Sequence, residues 1–252
     1  MASEVALITG CGSGVGAATA RRLIASGTQV VGIDRQWGPE TSSSGNIARI
    51  NGNVTEPEIW KQALTAVHDL GGQLTQIVFN AAQLIVGTVL EVSDAEFRRV
   101  FDVNVFAVVL GLRQCLPKIL ENGGGSIVAV ASVDAFLAEQ RLAAYCASKG
   151  ALLQLMRAVA IDYARQGIRA NCVCPGAIDT PFFRRHIDAA PNPERFLEDK
   201  TQRHPAGRIL NPEDVAEVVE FLLNARSIGI TGTAVTVDGG LTSTFDFQYD
   251  RT

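Results

Sequence analysis

The chain has 252 residues, of which 47% are apolar and 19% charged, and its formal net charge is −4. That apolar share supports a packed core and excludes wholesale disorder, and the 24 glycines and 9 prolines follow no triplet period, which excludes a collagen-like fibre. The acidic balance argues against a nucleic-acid reader, which would carry a basic surplus.

Short β-branched runs alternate with longer helical patterns along the whole sequence. In chain order the spacing predicts a strand over Val5–Thr9, a helix over Gly14–Ser26, and strands over Gln29–Ile33 and Ile47–Asn51. A helix over Pro57–Leu70, a strand over Gln76–Phe79 and a long helix over Asp94–Leu120 follow. The rest reads as a strand over Ser126–Ala131, a helix over Ala144–Gln166, a strand over Arg169–Cys174, a helix over Pro212–Leu223 and a strand over Ala234–Val237. Ser93-Asp94-Ala95-Glu96 and Asn211-Pro212-Glu213-Asp214 read as helix starts, with a capping residue and early acids. Runs such as Ile127-Val128-Ala129-Val130 are apolar on both faces, as in strands covered from both sides. The pattern implies an α/β fold: a doubly wound parallel sheet of about seven strands with helices on both faces.

No repeat or linker divides the chain, so residues 1–252 form one domain in this reading, and Thr41–Gly45 is a polar surface loop. Residues 180–205 break the rhythm with four prolines, three aromatics and many charges, and are expected to form a mobile flap with short helices of its own. No apolar run approaches the roughly 18 residues that span a bilayer; the best, Val103–Leu112, contains Asn104. The N-terminus lacks a basic, cleavable leader, and the five cysteines read as reduced thiols, so a cytoplasmic protein is expected.

Val5–Thr9 runs into Gly10-Cys11-Gly12-Ser13-Gly14-Val15-Gly16 and then an alanine-rich helix. A strand, a glycine turn and a helix N-terminus make an anion site, because unpaired backbone N–H groups and the positive end of the helix dipole face one point. This context predicts a Rossmann-like dinucleotide site. Asp34, just past the second strand, stands where an acid accepts from the adenosine ribose hydroxyls, which favours NAD over NADP. Arg35 beside it leaves two readings open, a phosphate ligand or a solvated charge.

Tyr145 and Lys149 stand one helical turn apart, so they share a face. An ammonium near a phenol favours its ionised form, which would bring a group of ordinary pKa near 10 towards neutrality. Ser132 ends a predicted strand, Asn104 interrupts the apolar run, and Pro175-Gly176 follows another strand with Thr180 beyond it.

With these residues the chain resembles a short-chain dehydrogenase/reductase of the single-domain type. The family's glycine loop matches Thr9-Gly10, Gly14 and Gly16; its catalytic tetrad matches Asn104, Ser132, Tyr145 and Lys149; its usual ending matches Val237-Asp238-Gly239-Gly240. The resemblance implies an oxidoreductase that interconverts a secondary alcohol and a ketone. Tyr145 exchanges the proton, Ser132 holds the substrate oxygen, Lys149 binds the nicotinamide ribose and lowers the phenol pKa, and Asn104 holds a water linking Lys149 to solvent. It also implies nucleotide contacts from Gly10, Ser13, Gly14, Val15, Gly16, Asp34, Arg35, Asn53, Val54, Asn80, Ala81, Ala82, Tyr145, Lys149, Pro175, Gly176, Ile178 and Thr180. Two departures stand out: Phe79-Asn80-Ala81-Ala82 replaces the family's N-N-A-G, with a Cβ that could shift the backbone, and Asn53 replaces its Asp.

Substrate contacts are expected, on the same resemblance, from Gln83, Leu84, Ile85, Asp134, Phe136, Arg141, Leu142 and the flap residues Phe182, Phe183, Arg184, Arg185 and His186. The aromatics suggest an apolar or ring-bearing alcohol or ketone, while the basic trio reads either as an anion site or as a solvated face. His204 reads either as a substrate contact or as a flap residue without that role, and Cys11 reads as a tolerated small side chain or as an oxidisable thiol. Cys172-Val173-Cys174 lacks the acids or histidines of a metal site, and no metal is expected. Competing functions are an epimerase or dehydratase on the same fold, and a non-catalytic NAD sensor. The partly apolar stripe Ala151, Leu152, Leu155, Met156, Val159 and Tyr163, with the family's habit of packing these helices across a two-fold, predicts a homo-oligomer, dimer or tetramer. No membrane or nucleic-acid partner is expected.

Overall fold

The computed structural model describes residues 3–39 and 47–244. The loop Thr41–Gly45 lies outside the described residues. Seven strands are present among the described residues: β1 Glu4–Thr9, β2 Gln29–Asp34, β3 Ile47–Asn51, β4 Gln73–Phe79, β5 Gly125–Val130, β6 Ile168–Pro175 and β7 Ala234–Val237. They form one parallel sheet in the order β3-β2-β1-β4-β5-β6-β7. After β1 the chain builds outwards through β2 and β3, then returns to add β4 on the other side of β1. The strand order therefore reverses between β1 and β4, and ligands of such sheets bind above the carboxyl ends at that point.

The all-apolar strands follow from cover on both faces. Val5, Leu7, Ile77 and Ile127 point into one core layer, and Ala6, Ile8, Val78 and Val128 into the other. The first layer is closed by α2 (Pro57–Asp69), α4 (Ala107–Glu121) and α5 (Ala143–Tyr163), the second by α1 (Gly14–Ala25) and α8 (Pro212–Leu223). Each fully buried Leu, Ile or Val in these layers contributes about 1.5–3 kcal/mol. Gly111 lets α4 lie close to the sheet, since a Cβ there would come within 2.4 Å of the Trp60 ring.

Both expected helix starts are built as caps. Ser93 Oγ accepts from the Glu96 N–H at 3.3 Å while the Glu96 carboxylate accepts from the Ser93 N–H at 3.0 Å. At α8 the Asp214 carboxylate accepts from the Asn211 N–H at 2.8 Å.

Three expectations need correction. The helix over Asp94–Leu120 is not uniform: α3 (Asp94–Phe101) passes through a π-helical turn, Asp102–Phe106, before α4. As one run, Asp94–Glu121 is long and apolar enough to cross a membrane, which the search for unbroken apolar stretches missed. Here Val100, Ala107, Val108, Leu112 and Ile119 are buried in the protein. The stripe on α5 is also not surplus surface. Leu152, Met156 and Val159 belong to the first core layer, and the large apolar residue that this helix exposes is Ile161, 80% exposed. Residues 180–205 do carry two short helices, α6 (Pro181–Asp188) and α7 (Pro193–Arg203).

Candidate active site

A cavity of about 1160 Å³ opens above the carboxyl ends of the strands, between the glycine loop, the loops after β2, β4, β5 and β6, and the flap. At its nucleotide end the loop after β1 turns through Gly10 and Gly14, both with positive φ (64° and 54°), which a side chain rarely tolerates. A Cβ on Gly14 would stand 2.9 Å from Thr180 Cγ2, and one on Gly12 would stand 1.9 Å from the Gln36 carbonyl. No side chain caps α1 at Ser13, so its first N–H groups are left for a ligand. Thr9 Oγ1 accepts from the N–H groups of Asn80 (3.0 Å) and Ala81 (3.1 Å), and Asn80 Nδ2 donates to the Gly10 carbonyl at 2.9 Å. These bonds tie the glycine loop to the end of β4. Ala82 causes no left-handed strain, because Arg141 is the one non-glycine residue with positive φ among the described residues.

Asp34 closes β2. Its carboxylate accepts from the N–H groups of Gly12 (2.8 Å), Arg35 (2.7 Å) and Gln36 (3.1 Å), which fix its position at the cavity wall. Arg35 lines the same wall, and Asn53 Oδ1 accepts from the Thr55 N–H at 3.2 Å. Cys11 is fully buried and burial pushes its thiol up to about 12, so it is packing rather than a reactive group.

Ser132 follows β5, while Tyr145 and Lys149 sit on the cavity face of α5. Lys149 is 2% exposed; its Nζ donates to the Val130 carbonyl at 2.8 Å and lies 5.4 Å from the centre of the Tyr145 ring. Burial lowers the Lys149 ammonium to about 8. The phenol does not follow the expectation of a lowered pKa. Burial, and then the Asp134 carboxylate, push Tyr145 above its ordinary value, while a hydrogen bond with Ser132 pulls the other way. The ammonium bonds to a backbone carbonyl instead, so the protein alone keeps the phenol protonated.

Asn104 lies in the π turn, 1% exposed, where widened backbone commonly marks a functional position. Its Oδ1 accepts from the Gln83 N–H at 2.7 Å, and its Nδ2 donates to the Gln83 carbonyl at 3.0 Å and to Ser148 Oγ at 2.9 Å. It therefore braces the loop after β4 against α5 from behind the cavity wall.

At the substrate end Asp134 lies beside Ser132: Ser132 Oγ–H donates to Asp134 Oδ2 at 3.2 Å, and the Asp134 N–H donates to Ser132 Oγ at 3.1 Å. Burial and the nearby Glu139 raise the Asp134 carboxyl to about 6. The flap reaches back over this region. Phe182 packs 6.2 Å from the Tyr145 ring, His186 meets Phe196 edge-on at 5.0 Å, and Lys200 pairs with Glu139.

Every expected nucleotide contact lines the cavity except Gly16, whose hydrogen faces the Gly10 carbonyl; a Cβ there would come within 2.1 Å of that oxygen. Of the tetrad, Ser132, Tyr145 and Lys149 line the cavity and Asn104 does not. Of the expected substrate contacts, Gln83, Leu84, Asp134, Arg141, Leu142, Phe182, Phe183, Arg185 and His186 line it, whereas Ile85, Phe136 and Arg184 do not. Arg184 is drawn away by a two-pronged ion pair with Asp179, both bonds at 2.8 Å. His204 is 1% exposed: its Nδ1 bonds to the Lys200 carbonyl at 2.7 Å and its Nε2 accepts from the Ala177 N–H at 3.2 Å, so it anchors the flap to the segment after β6. Sequence reasoning missed Glu139, Phe196 and Lys200, which reach the cavity through contacts distant in sequence. Cys172 and Cys174 are packed in the first core layer, and no cluster of metal-ligating side chains occurs among the described residues.

The family model described as enoyl-(acyl carrier protein) reductase matches residues 10–242. The 2-(S)-hydroxypropyl-CoM dehydrogenase 3 of Xanthobacter autotrophicus is 34% identical over 248 residues, covering 96% of this chain and 97% of the relative. The cyclohexanol dehydrogenase of an Acinetobacter species is 36% identical over 250 residues, covering 96% of each chain. The structure of Thermoplasma acidophilum aldohexose dehydrogenase superposes with a TM-score of 0.89 at 30% identity, covering 99% of this chain and 98% of that one. With the strand order, the glycine loop and the Ser132–Tyr145–Lys149 cluster, these likenesses make the chain a member of the short-chain dehydrogenase/reductase family, an oxidoreductase acting on CH–OH groups with a nicotinamide cofactor.

Proposed function

We propose that the chain interconverts a secondary alcohol and a ketone with NAD, Tyr145 serving as the group that exchanges the proton. The observation that carries this reading is the convergence of Ser132, Tyr145 and Lys149 on the cavity that the glycine loop also lines. The names of the relatives, a hydroxypropyl-CoM dehydrogenase and a cyclohexanol dehydrogenase, support a secondary alcohol as the substrate class.

The residues fit the dinucleotide. Gly10, Gly12 and Gly14 let the loop fold tightly against Asn80, Gln36 and Thr180, where a Cβ would collide, and the uncapped start of α1 offers N–H donors to a pyrophosphate. Asp34, fixed by three backbone N–H groups, meets ribose hydroxyls as an acceptor and repels a 2′-phosphate, which supports NAD over NADP. When bound, the cofactor supplies hydride exchange at its nicotinamide ring. The chain does the rest. Ser132 holds the substrate oxygen beside Tyr145. The protonated phenol donates to that oxygen in the reducing direction, and its phenolate takes the carbinol proton in the oxidising direction. Lys149, held by Val130, presents a buried cation below the phenol and offers donors to ribose hydroxyls. Asn104 acts through the loop it braces and through the water that this reading assigns to it.

Five reduced cysteines support a cytoplasmic location. A dimer or tetramer built on the helices α3, α4 and α5 is supported by Phe106, 60% exposed, and Ile161, 80% exposed. The test of the function is a panel of secondary alcohols and ketones with NAD and with NADP, followed at the absorbance band of the reduced nicotinamide. The reading expects stoichiometric change with NAD. Binding of NAD with no redox change across the panel would overturn it in favour of a sensor or a net-neutral enzyme.

A further inference from the structure

The substrate end of the cavity holds a carboxylate for which the proton exchange has no use. Asp134 lines the cavity four residues past the end of β5, and its Oδ2 lies 3.2 Å from Ser132 Oγ, the hydroxyl assigned to the reacting oxygen. Its other oxygen, Oδ1, takes no hydrogen bond from the described residues. A half-buried carboxylate with a free lone-pair site in a cavity is an acceptor waiting for a donor. Ser132 Oγ and the Asp134 carboxylate lie close enough together to meet both oxygens of one vicinal diol, which stand roughly 2.8 Å apart when gauche.

The surrounding charges decide which donor. Asp134 and Glu139 face a bound group from the β5 side, and Lys149, Lys200, Arg185 and His186 face it from α5 and the flap. Lys200 is paired with Glu139 and Arg185 lies over the Phe182 ring at 6.0 Å. An anionic substituent next to the reacting carbon would meet the Asp134 carboxylate. An ammonium would meet Lys149 and Lys200. A neutral hydroxyl donates to Asp134 without either penalty, while Leu84, Phe182 and Phe183 cover the carbon frame.

We infer that Asp134 is a specificity-determining residue that accepts a hydrogen bond from a second hydroxyl on the carbon next to the reacting carbinol, so that the preferred substrates are neutral vicinal diols and the corresponding α-hydroxyketones. This rests on the alcohol–ketone reading above. Ser132 and Tyr145 then hold the reacting oxygen and Asp134 holds its neighbour, which selects one of the two hydroxyls for oxidation and one stereochemical relation between them.

The experiment compares matched pairs, 1,2-cyclohexanediol (cis and trans separately) against cyclohexanol, and 2,3-butanediol against 2-butanol, with NAD. The wild type is expected to show a kcat/KM at least tenfold higher for one diol isomer than for its mono-ol, with most of the gain in KM. Asp134→Ala should reduce that ratio to within about twofold of unity, and Asp134→Asn, which keeps an acceptor of the same shape, should retain part of it. A wild type that oxidises the mono-ols as well as every diol isomer overturns the assignment, as does an Asp134→Ala protein that keeps the ratio. If no alcohol is turned over, the alcohol–ketone reading fails by itself. Calorimetric binding of diol and mono-ol to the NADH-saturated wild type and Asp134→Ala then still decides the assignment: tighter diol binding by the wild type that is lost in the variant supports it, and equal binding of the two ligands by the wild type overturns it.

Discussion

Asn104 offers a quantitative check on how the catalytic wall is built. Its side chain is buried and makes three hydrogen bonds, two to the backbone of Gln83 and one to Ser148 Oγ. Ser148 keeps a partner without it, because its hydroxyl donates to the Tyr145 carbonyl at 2.7 Å. The Gln83 N–H and carbonyl would lose theirs. Leaving a polar group unpaired costs about 1–3 kcal/mol when buried, and Gln83 is half-buried, so the two lost bonds fall at the low end; with the cavity left at the buried Asn104, Asn104→Ala should lose roughly 3 kcal/mol. For a domain of this size that corresponds to a fall in Tm of about 6–12 °C. Asn104→Asp separates bonding from volume. One carboxylate oxygen still accepts from the Gln83 N–H, but the other replaces a donor and faces the Gln83 carbonyl. That variant should be as unstable as the alanine variant at pH 7 and recover as pH falls, since the protonated acid regains a donor. Urea unfolding at fixed protomer concentration measures all three proteins. An Asn104→Ala protein within 1 kcal/mol of wild type, or an aspartate variant of full stability at pH 7, would refute the bracing role.

Other expectations follow from single contacts. Replacing Asp34 by Ser removes the negative charge at the ribose wall, and the ratio of kcat/KM for NAD to that for NADP should fall more than tenfold; an unchanged ratio would show that another group sets cofactor choice. Gly16→Ala forces a Cβ towards the Gly10 carbonyl, and overpacking of this kind costs about 1–3 kcal/mol, measurable as a lower denaturation midpoint together with weaker nucleotide binding. The Asp134 carboxyl, raised from 3.8 to about 6, binds a proton more readily folded than unfolded, so its contribution to stability falls as pH rises from about 4 to 6. The gap corresponds to at most about 3 kcal/mol, and solvent in the cavity reduces it. Asp134→Asn should therefore be more stable than wild type at pH 7, by about 1–2 kcal/mol, with the difference closing towards pH 4; a constant difference across that range would contradict the assignment of the strain to ionisation.

The sheet was legible because its strands carry the mark of their surroundings. Ile127–Val130 is apolar on both sides since helices cover both faces, and each strand was found to within a few residues of its ends. The glycine loop was legible because strand, turn and helix start follow one another locally. What stayed hidden depends on contacts between distant segments. A π turn leaves no sequence periodicity of its own, so Asn104 showed only as a polar break in an apolar run. The apolar stripe read on α5 holds residues that its own sheet takes, Leu152 and Met156, while the exposed Ile161 lies outside that stripe, a division set by packing that spacing alone does not show. In the flap, Arg184 turns to Asp179 and Lys200 to Glu139, choices set by how α6 and α7 fold back. The phenol shows the same limit: one-turn spacing placed Lys149 beside Tyr145, but not the Val130 carbonyl that engages the ammonium or the burial that outweighs it.

The proton-exchanging phenol is tested most directly by Tyr145→Phe, which keeps the ring against Phe182 and removes one oxygen. NAD binding, followed by fluorescence titration, should stay within about threefold of wild type, and oxidation of the best alcohol should fall by a factor of 100 or more, within the roughly 10²–10⁴ typical of a positioned acid–base group. Turnover retained in that variant alongside intact nucleotide binding would contradict the mechanism.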